Sequence, residues 1–178
     1  MSRRRFSFFS FFILIFIILL LLLYCIGYFR VTYRCGELED IHALRQRFRK
    51  YSFIPSFKTK GKLLFTEQVG PAPYRYITVI GTFDDTIETI IGGSYIHNVR
   101  EMPSDRETMI FRKEEFAHIS NELLSKYQIK TNDDGKFIYT RNPDKKTSYE
   151  IYFLANQVHC HFYLDQTTRH FVLHMAAR

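Results

Sequence analysis

Residues 6–29 carry no charged side chain, and this apolar run follows three consecutive arginines, Arg3 to Arg5. In an α-helix rising about 1.5 Å per residue, a run of this length spans about 36 Å, whereas the hydrocarbon layer of a bilayer is roughly 30 Å thick. We therefore predict a short basic tail at 1–5 and a transmembrane anchor at 6–29, with the lipid bilayer as its partner. The remainder, 30–178, is interrupted by charge too often to insert again.

A cleaved signal peptide is the alternative to an anchor. The apolar region of a signal peptide is normally about 7–15 residues long and ends in small residues, whereas here the run continues through Tyr24, Cys25 and Ile26 without such a site. A basic N-terminus directly before an apolar segment is typical of a signal anchor, and long C-terminal domains are translocated largely regardless of their charge. We therefore expect a single-pass protein of the inner or plasma membrane, with a cytoplasmic N-terminus and an extracytoplasmic head.

The positive charge is concentrated beside the predicted anchor. The segment 30–62 holds nine of the 25 basic residues and three of the 18 acidic residues. The segment 63–178 holds 13 basic and 15 acidic residues. The distal part is thus slightly acidic although the chain has a net charge of +7. Because nucleic-acid binding requires a basic patch on the folded domain, we expect no nucleic-acid partner. A basic segment beside the bilayer suits anionic lipid headgroups, and a solvated helix face is the alternative.

A juxtamembrane basic helix and linker are predicted over 30–62. Apolar residues recur there at helical spacing, with acidic residues near the first turn and basic residues in the last turn, as the helix dipole favours. The apolar stripe consists of Leu38, Ile41, Leu44, Phe48 and Tyr51. We expect this stripe to pack against the head; a partner helix or the membrane surface is the alternative.

The head domain is placed at 63–178 and consists mostly of predicted strands. Their ranges are 63–69, 74–83, 86–91, 94–101, 108–112, 136–141, 149–154, 158–164 and 169–175. The last four strands, which are separated by turns, are predicted to form an antiparallel meander. A helix is predicted where apolar residues follow helical spacing between Phe116 and Tyr127. The fold class is therefore α+β: one soluble domain, mainly an antiparallel sheet, with one or two packed helices.

The last predicted hairpin is the best candidate for a chemical site. A loop at 166–167 or at 165–168 places His159 opposite His174, His161 opposite Val172 and Tyr163 opposite His170, and strand alternation puts these side chains on one face. The opposite face is apolar and is predicted to belong to the core; it contains Val158, Cys160, Phe162, Leu164, Phe171, Leu173 and Met175.

Four of the seven histidines would therefore form one cluster. Neutral imidazoles at this spacing can bind Zn²⁺, Cu²⁺ or Ni²⁺, so the candidate metal ligands are His159, His161, His170 and His174. An acid-sensitive interface is a second possibility, because histidine gains charge near pH 6. The third is that these histidines only fill the half-exposed side of a strand.

Cysteine usage leaves two alternatives open. Cys35 and Cys160 are an even pair that an oxidising compartment could join. Against this, Cys160 falls on the predicted core face, where it would be buried as a small apolar residue. No Gly-x-Ser-x-Gly or His-Glu-x-x-His motif occurs in the chain, and neither cysteine lies in a nucleophile signature.

These features favour a non-enzymatic, membrane-tethered binding module of the cell envelope that uses no cofactor. Such a module would bind a protein partner, either as an accessory subunit of an envelope complex or to neutralise a toxin that reaches this compartment. The second hypothesis is a membrane-bound metal-binding protein or metal-dependent enzyme that uses the histidine cluster.

Overall fold

A computed structural model of the chain describes residues 3–28, 31–48, 54–70, 75–92, 108–111, 113–116, 119–140, 147–155 and 157–177. The helices are α1 (Arg3–Tyr28), α2 (Ile41–Arg47), α3 (Ile87–Gly92) and α4 (Asn121–Lys126), with a 3-10 turn at Lys113–Glu115. The strands are β1 (Thr32–Leu38), β2 (Leu63–Val69), β3 (Arg75–Thr82), β4 (Thr108–Phe111), β5 (Ile129–Thr131), β6 (Phe137–Thr140), β7 (Ser148–Ala155), β8 (Val158–Asp165) and β9 (His170–Ala177).

The strands form two antiparallel sheets. The large sheet has the order β1-β2-β3-β9-β8-β7, and the small sheet has the order β4-β6-β5. In the middle of the large sheet, β3 pairs with β9 from Arg75 opposite Ala177 to Thr82 opposite His170. The predicted fold class, α+β with mainly antiparallel sheet and few helices, is confirmed.

The first face of the large sheet is covered by α2, α3 and the segment 54–57. Side chains of all six strands reach this apolar core, including Val79, Phe162 and Leu173. Within it, the Phe57 and Phe171 rings meet edge to face with centroids 5.2 Å apart. The core face predicted for the last hairpin is therefore confirmed.

The predicted packing of the juxtamembrane apolar stripe against the head is also confirmed. Ile41, Leu44 and Phe48 are buried in the first core, while Tyr51 lies outside the described residues. The helix α2 begins at Ile41 because Asp40 caps it: Asp40 Oδ1 accepts a hydrogen bond from the Ala43 backbone N–H at 2.7 Å.

The second face of the large sheet is covered in part by the small sheet and α4. Leu64, Ile80, Tyr163 and Val172 of the large sheet pack into this second core. The predicted helix between 116 and 127 is present over Asn121–Lys126, where Ser120 caps it through a bond from the Leu123 N–H.

A polar contact links α4 to the edge strand β1. Lys126 Nζ and the Tyr127 hydroxyl both donate to Glu37 Oε1, at 2.8 and 2.9 Å. These two hydrogen bonds, that of Lys126 first, hold the pKa of Glu37 below its ordinary value. The charged form of Glu37 is therefore the form that the folded chain stabilises.

The start of the head domain differs from the prediction. The segment 30–62 was expected to be a helix and a linker, yet Thr32–Leu38 forms β1, which pairs with β2 along its whole length. The pattern failed because Arg34, Gly36 and Glu37 give β1 little apolar alternation, and an edge strand tolerates this. The large sheet therefore includes β1, which precedes residue 63.

Two further strand predictions were wrong. Residues 86–91 were expected to form a strand, but they lie mainly in α3, where Thr86 Oγ1 accepts a bond from the Thr89 N–H at 3.2 Å and Ile87 and Ile90 are buried. The predicted four-strand meander has only three strands, β7, β8 and β9, because β6 belongs to the small sheet. The predicted strand at 94–101 lies outside the described residues.

The N-terminal helix α1 extends over 26 residues, and its apolar side chains between residues 11 and 26 are exposed. Within the described part of the chain, no helix meets the combined requirement of length and apolarity for crossing a membrane. The transmembrane anchor at 6–29 therefore stays a prediction.

The close packing of β3 against β2 and β9 predicts that Gly81→Ala is destabilising. A Cβ at Gly81 would overlap Leu63 Cδ2 and lie 3.1 Å from Phe171 Cε1, and both neighbours are fully buried. We expect the free energy of unfolding to fall by about 1–3 kcal/mol, as overpacking does in other cores. Urea denaturation of the full-length protein measures this. Gly92→Ala is the control, because a Cβ there meets open space; equal losses in both variants would contradict the packing.

Candidate functional site

The last hairpin pairs in a different register from the one predicted. His161 lies opposite His174 and Tyr163 opposite Val172, so the expected pairing of His159 with His174 was wrong by two residues. Because the shift is an even number of residues, every side chain stays on its predicted face.

The turn of this hairpin explains the shift. Asp165 Oδ1 accepts bonds from the backbone N–H groups of Thr167 at 2.9 Å and Thr168 at 3.4 Å, and Asp165 Oδ2 accepts from the Thr168 hydroxyl at 2.8 Å. Arg169 then takes a left-handed conformation with φ of 59°. The loop therefore occupies 166–169, and its centre lies one residue later than that of the predicted loops at 166–167 or 165–168.

Two rows of facing residues cross the second face of the large sheet. The first row runs from β7 to β1 through Tyr152, His161, His174, Thr78, Thr66 and Cys35. The second row runs in the same direction through Leu154, His159, Ala176, Tyr76, Gln68 and Tyr33. On β2 and β3 these rows are largely buried, whereas on β7, β8 and β9 they are open.

The open ends of the two rows form a groove of about 500 Å³. We call it the His–Tyr groove and define it by Tyr152, Leu154, His159, His161, His174 and Ala176. Leu154 and His159 are exposed at its rim, and His161 and His174 lie half-buried in its floor. Three of the four predicted metal-ligand histidines are thus brought to one place.

His161 is held by contacts on two sides. Its ring stacks on Tyr152, with centroids 4.2 Å apart and planes inclined by 8°. Its Nε2 lies 3.8 Å from Glu150 Oε1, and the Glu150 side chain is only 6% exposed. The Tyr152 hydroxyl donates to the other carboxylate oxygen of Glu150 at 3.5 Å. Glu150, Tyr152 and His161 therefore form one contact network between β7 and β8.

His174 is likewise held by a polar contact and a ring contact, both with side chains of β3. Its Nδ1 lies 2.9 Å from the Thr78 hydroxyl on β3, within hydrogen-bond distance. Its ring stacks on Tyr76, with centroids 6.2 Å apart and planes inclined by 23°. Both floor imidazoles are therefore held by side chains of a neighbouring strand, β7 for His161 and β3 for His174. The groove is thus a preformed surface.

His170 lies elsewhere. It is opposite Thr82 and lines a separate pocket with Lys60, Lys62 and Tyr127. Burial lowers its pKa below the ordinary value of 6.5, and Asp165 acts in the opposite direction. Within the described residues, no three His, Cys, Asp or Glu side chains are arranged to hold a metal ion. Metal binding by the four histidines therefore stays a prediction.

The two cysteines of the head are free thiols. Cys35 is on β1 and Cys160 on β8, four strand spacings apart, which is roughly 19 Å, and they lie on opposite faces. A disulfide requires Cα atoms within about 7 Å, so these two cannot be joined in this fold. Cys160 is buried in the first core, where desolvation raises its pKa to about 12. Burial also raises the pKa of Cys35.

Sequence reasoning missed the groove residues contributed by other strands. Tyr152 and Leu154 share a face with Glu150 by simple alternation, which was available from the sequence. That this face adjoins His161 depends on the pairing of β7 with β8, and the stacking of Tyr76 on His174 depends on the pairing of β3 with β9. A pattern within one strand contains neither pairing.

No protein-family model, curated protein or solved structure matches this chain. The chemistry of the groove is therefore inferred from its own residues. Imidazoles can donate or accept hydrogen bonds, and the aromatic rings and Leu154 offer apolar contact. This combination fits a partner that presents an apolar or aromatic group together with a polar one.

The network around Glu150 predicts that two histidines on one strand differ in their effect on stability. His161→Ala removes the neighbour of a buried carboxylate, so the free energy of unfolding should fall by about 1–3 kcal/mol. His159→Ala changes an exposed side chain on the same face and should alter it by less than about 0.5 kcal/mol. Urea denaturation of both full-length variants tests this. Equal stability of the two variants would show that the Glu150 network contributes nothing.

The lowered pKa of His170 predicts a loss of stability in mild acid. The unfolded chain binds the proton more readily than the folded one, so the stability is fully present above about pH 6.5 and is lost as the pH falls below it. Between about pH 7.5 and 5.5, the wild-type protein should therefore lose more of its free energy of unfolding than His170→Asn. His42→Asn, at an exposed position on α2, is the control and should follow the wild type. An identical loss in all three proteins would contradict the assignment.

Proposed function

We propose that this chain is a non-enzymatic, membrane-tethered binding module of the cell envelope, and that it binds a protein partner through the His–Tyr groove. The observation that carries the proposal is the groove itself, in which fixed imidazoles lie beside exposed apolar side chains on an open sheet face. The partner is either a subunit of an envelope complex, to which this chain is an accessory, or a toxin that the chain neutralises. No cofactor and no nucleic acid take part.

The proposed anchor is supported by α1 and by the sequence around it. As a helix, the charge-free run of 24 residues at 6–29 would be about 36 Å long, which exceeds the roughly 30 Å hydrocarbon layer. Its apolar side chains are exposed on all sides between residues 11 and 26, and water is an unfavourable environment for such a surface. The arginines at 3–5 favour a cytoplasmic N-terminus in the inner or plasma membrane, with the head on the other side.

The proposed contact surface is supported by the distribution of exposed apolar residues in the head. Two large ones, Tyr152 at 41% exposure and Leu154 at 65%, lie together on the groove. Interfaces favour tyrosine and preformed pockets, because a fixed side chain loses little entropy on binding. The distal charge is slightly acidic, so electrostatic capture of nucleic acid is not favoured.

The metal hypothesis is the second candidate, and the pairing of His161 with His174 on adjacent strands is the observation that favours it. Zinc titration of the full-length protein in detergent distinguishes the two functions. We expect no one-to-one binding at micromolar zinc, since two imidazoles alone bind weakly compared with the three or four ligands of a protein zinc site. One zinc per chain with sub-micromolar affinity, lost in both His161→Ala and His174→Ala, would replace the binding module with the metal site.

Photo-crosslinking in the native membrane tests the binding proposal directly. A photoreactive phenylalanine replaces His159 at the rim of the groove, and in the control it replaces Ile110, which is 64% exposed on β4 of the small sheet. We expect one discrete adduct with another protein at position 159 and none at position 110. Mass spectrometry of the adduct then identifies the partner. Absence of any adduct at 159, or the same adducts at both positions, would contradict the assignment of the groove as the contact surface.

A further inference from the structure

Among the residues that the structure describes, β7 is an edge of the large sheet and lacks the features that usually prevent edge strands from pairing with another chain. Such features are exposed charge, proline, bulges or short length. Among the described edge strands, β1 has the exposed Arg34, β5 has three residues and the exposed Lys130, and β4 has only four residues. In contrast, β7 has eight residues, and its one charged side chain, Glu150, is buried.

We propose that β7 pairs antiparallel with β7 of a second copy, so that the two large sheets become one continuous sheet. Identical chains that associate through one surface form a two-fold dimer, in which the same patch serves both copies. An axis normal to the sheet keeps the apolar core faces of both copies on the same side. Such an axis passes through a single residue position of β7.

The side chains of β7 distinguish the central registers. With the axis at Glu150, two carboxylates would face each other, and like charges directly opposite are destabilising. With the axis at Tyr152, the Glu150 carboxylate would face Leu154 of the second copy, which offers it no hydrogen bond. With the axis at Ile151, Glu150 faces Tyr152 of the second copy.

The register centred on Ile151 is matched on both faces. On the second face it places the Glu150 carboxylate opposite the Tyr152 hydroxyl of the other copy. Within one chain the same two groups already meet at 3.5 Å. On the apolar side, Ile151 faces itself and Tyr149 faces Phe153 of the second copy. These three residues pack on the first core, so the dimer would extend that core from one copy into the other.

The dimer would also place two binding surfaces side by side. Because the axis is normal to the sheet, both His–Tyr grooves open on the same side, and Tyr152 of each groove lies at the junction. A partner with two contact sites could then engage both grooves, which raises its avidity without any new contact. The dimer itself does not depend on what the groove binds.

A charge pair at one position tests this inference in the full-length protein in detergent. Tyr152→Glu sets a new carboxylate against Glu150 of the other copy at two symmetric places, whereas Tyr152→Lys sets an ammonium there. We expect a dimeric wild type, a dimer dissociation constant at least about tenfold higher in Tyr152→Glu, and little change in Tyr152→Lys. Light scattering over a concentration series measures this. Ile110→Glu, at an exposed site on the small sheet, is the control and should remain dimeric.

A distance measurement keeps the test valid if Tyr152→Glu fails to fold. The distance is measured between spin labels on Leu154→Cys, with Cys25 and Cys35 replaced by serine. The Cα atoms of the two labelled residues would be about 21 Å apart for an axis at Ile151 and about 14 Å apart for an axis at Tyr152, and the label distance follows this difference. A monomeric wild type, a dimer that survives Tyr152→Glu in folded form, or equal dissociation by both Tyr152 variants would overturn the proposed pairing. So would a label distance near 14 Å.

Discussion

The pairing of β3 with β9 is the contact on which the rest of the head depends. It joins the first three strands of the large sheet to the last three, although Thr78 and His174, which face each other in it, are separated by 96 residues. Closing so long a loop is entropically costly, so the pair has to be stabilised by what surrounds it. Val79 and Leu173 face the first core and Ile80 and Val172 the second, which places this pair between two apolar layers.

The same pairing produces the candidate site. One face of the large sheet carries the first apolar core and is covered mainly by helices, whereas the other is divided between the small sheet and the His–Tyr groove. The groove exists because β9 lies between β3 and β8, where His174 can contact Tyr76 and Thr78 on one side and faces His161 on the other. A surface of three strands is stiffer than a loop, and stiffness suits a binding site.

Local patterns predicted much of the fold because alternation is a local property. The strands β2 and β8 and the core face of the last hairpin follow directly from it. Where a side chain changed the backbone, the patterns failed: Asp165 moved the hairpin register by two residues, and Thr86 turned an isoleucine-rich stretch into α3. The groove was only half predictable, since its histidines lie on the two strands of one hairpin whereas Tyr76 and Glu150 contact them through pairing with other strands.

Amide hydrogen exchange of the full-length protein, followed by mass spectrometry, tests this account of the fold most directly. Exchange from the centre of a cooperative sheet requires global unfolding, whereas edges open locally. The account predicts the slowest exchange in 77–80 and 171–175. In β1 it predicts intermediate protection, slower exchange than an unstructured linker would have. Fast exchange in β9, or no protection over Thr32–Leu38, would contradict a single sheet built around the β3–β9 pair.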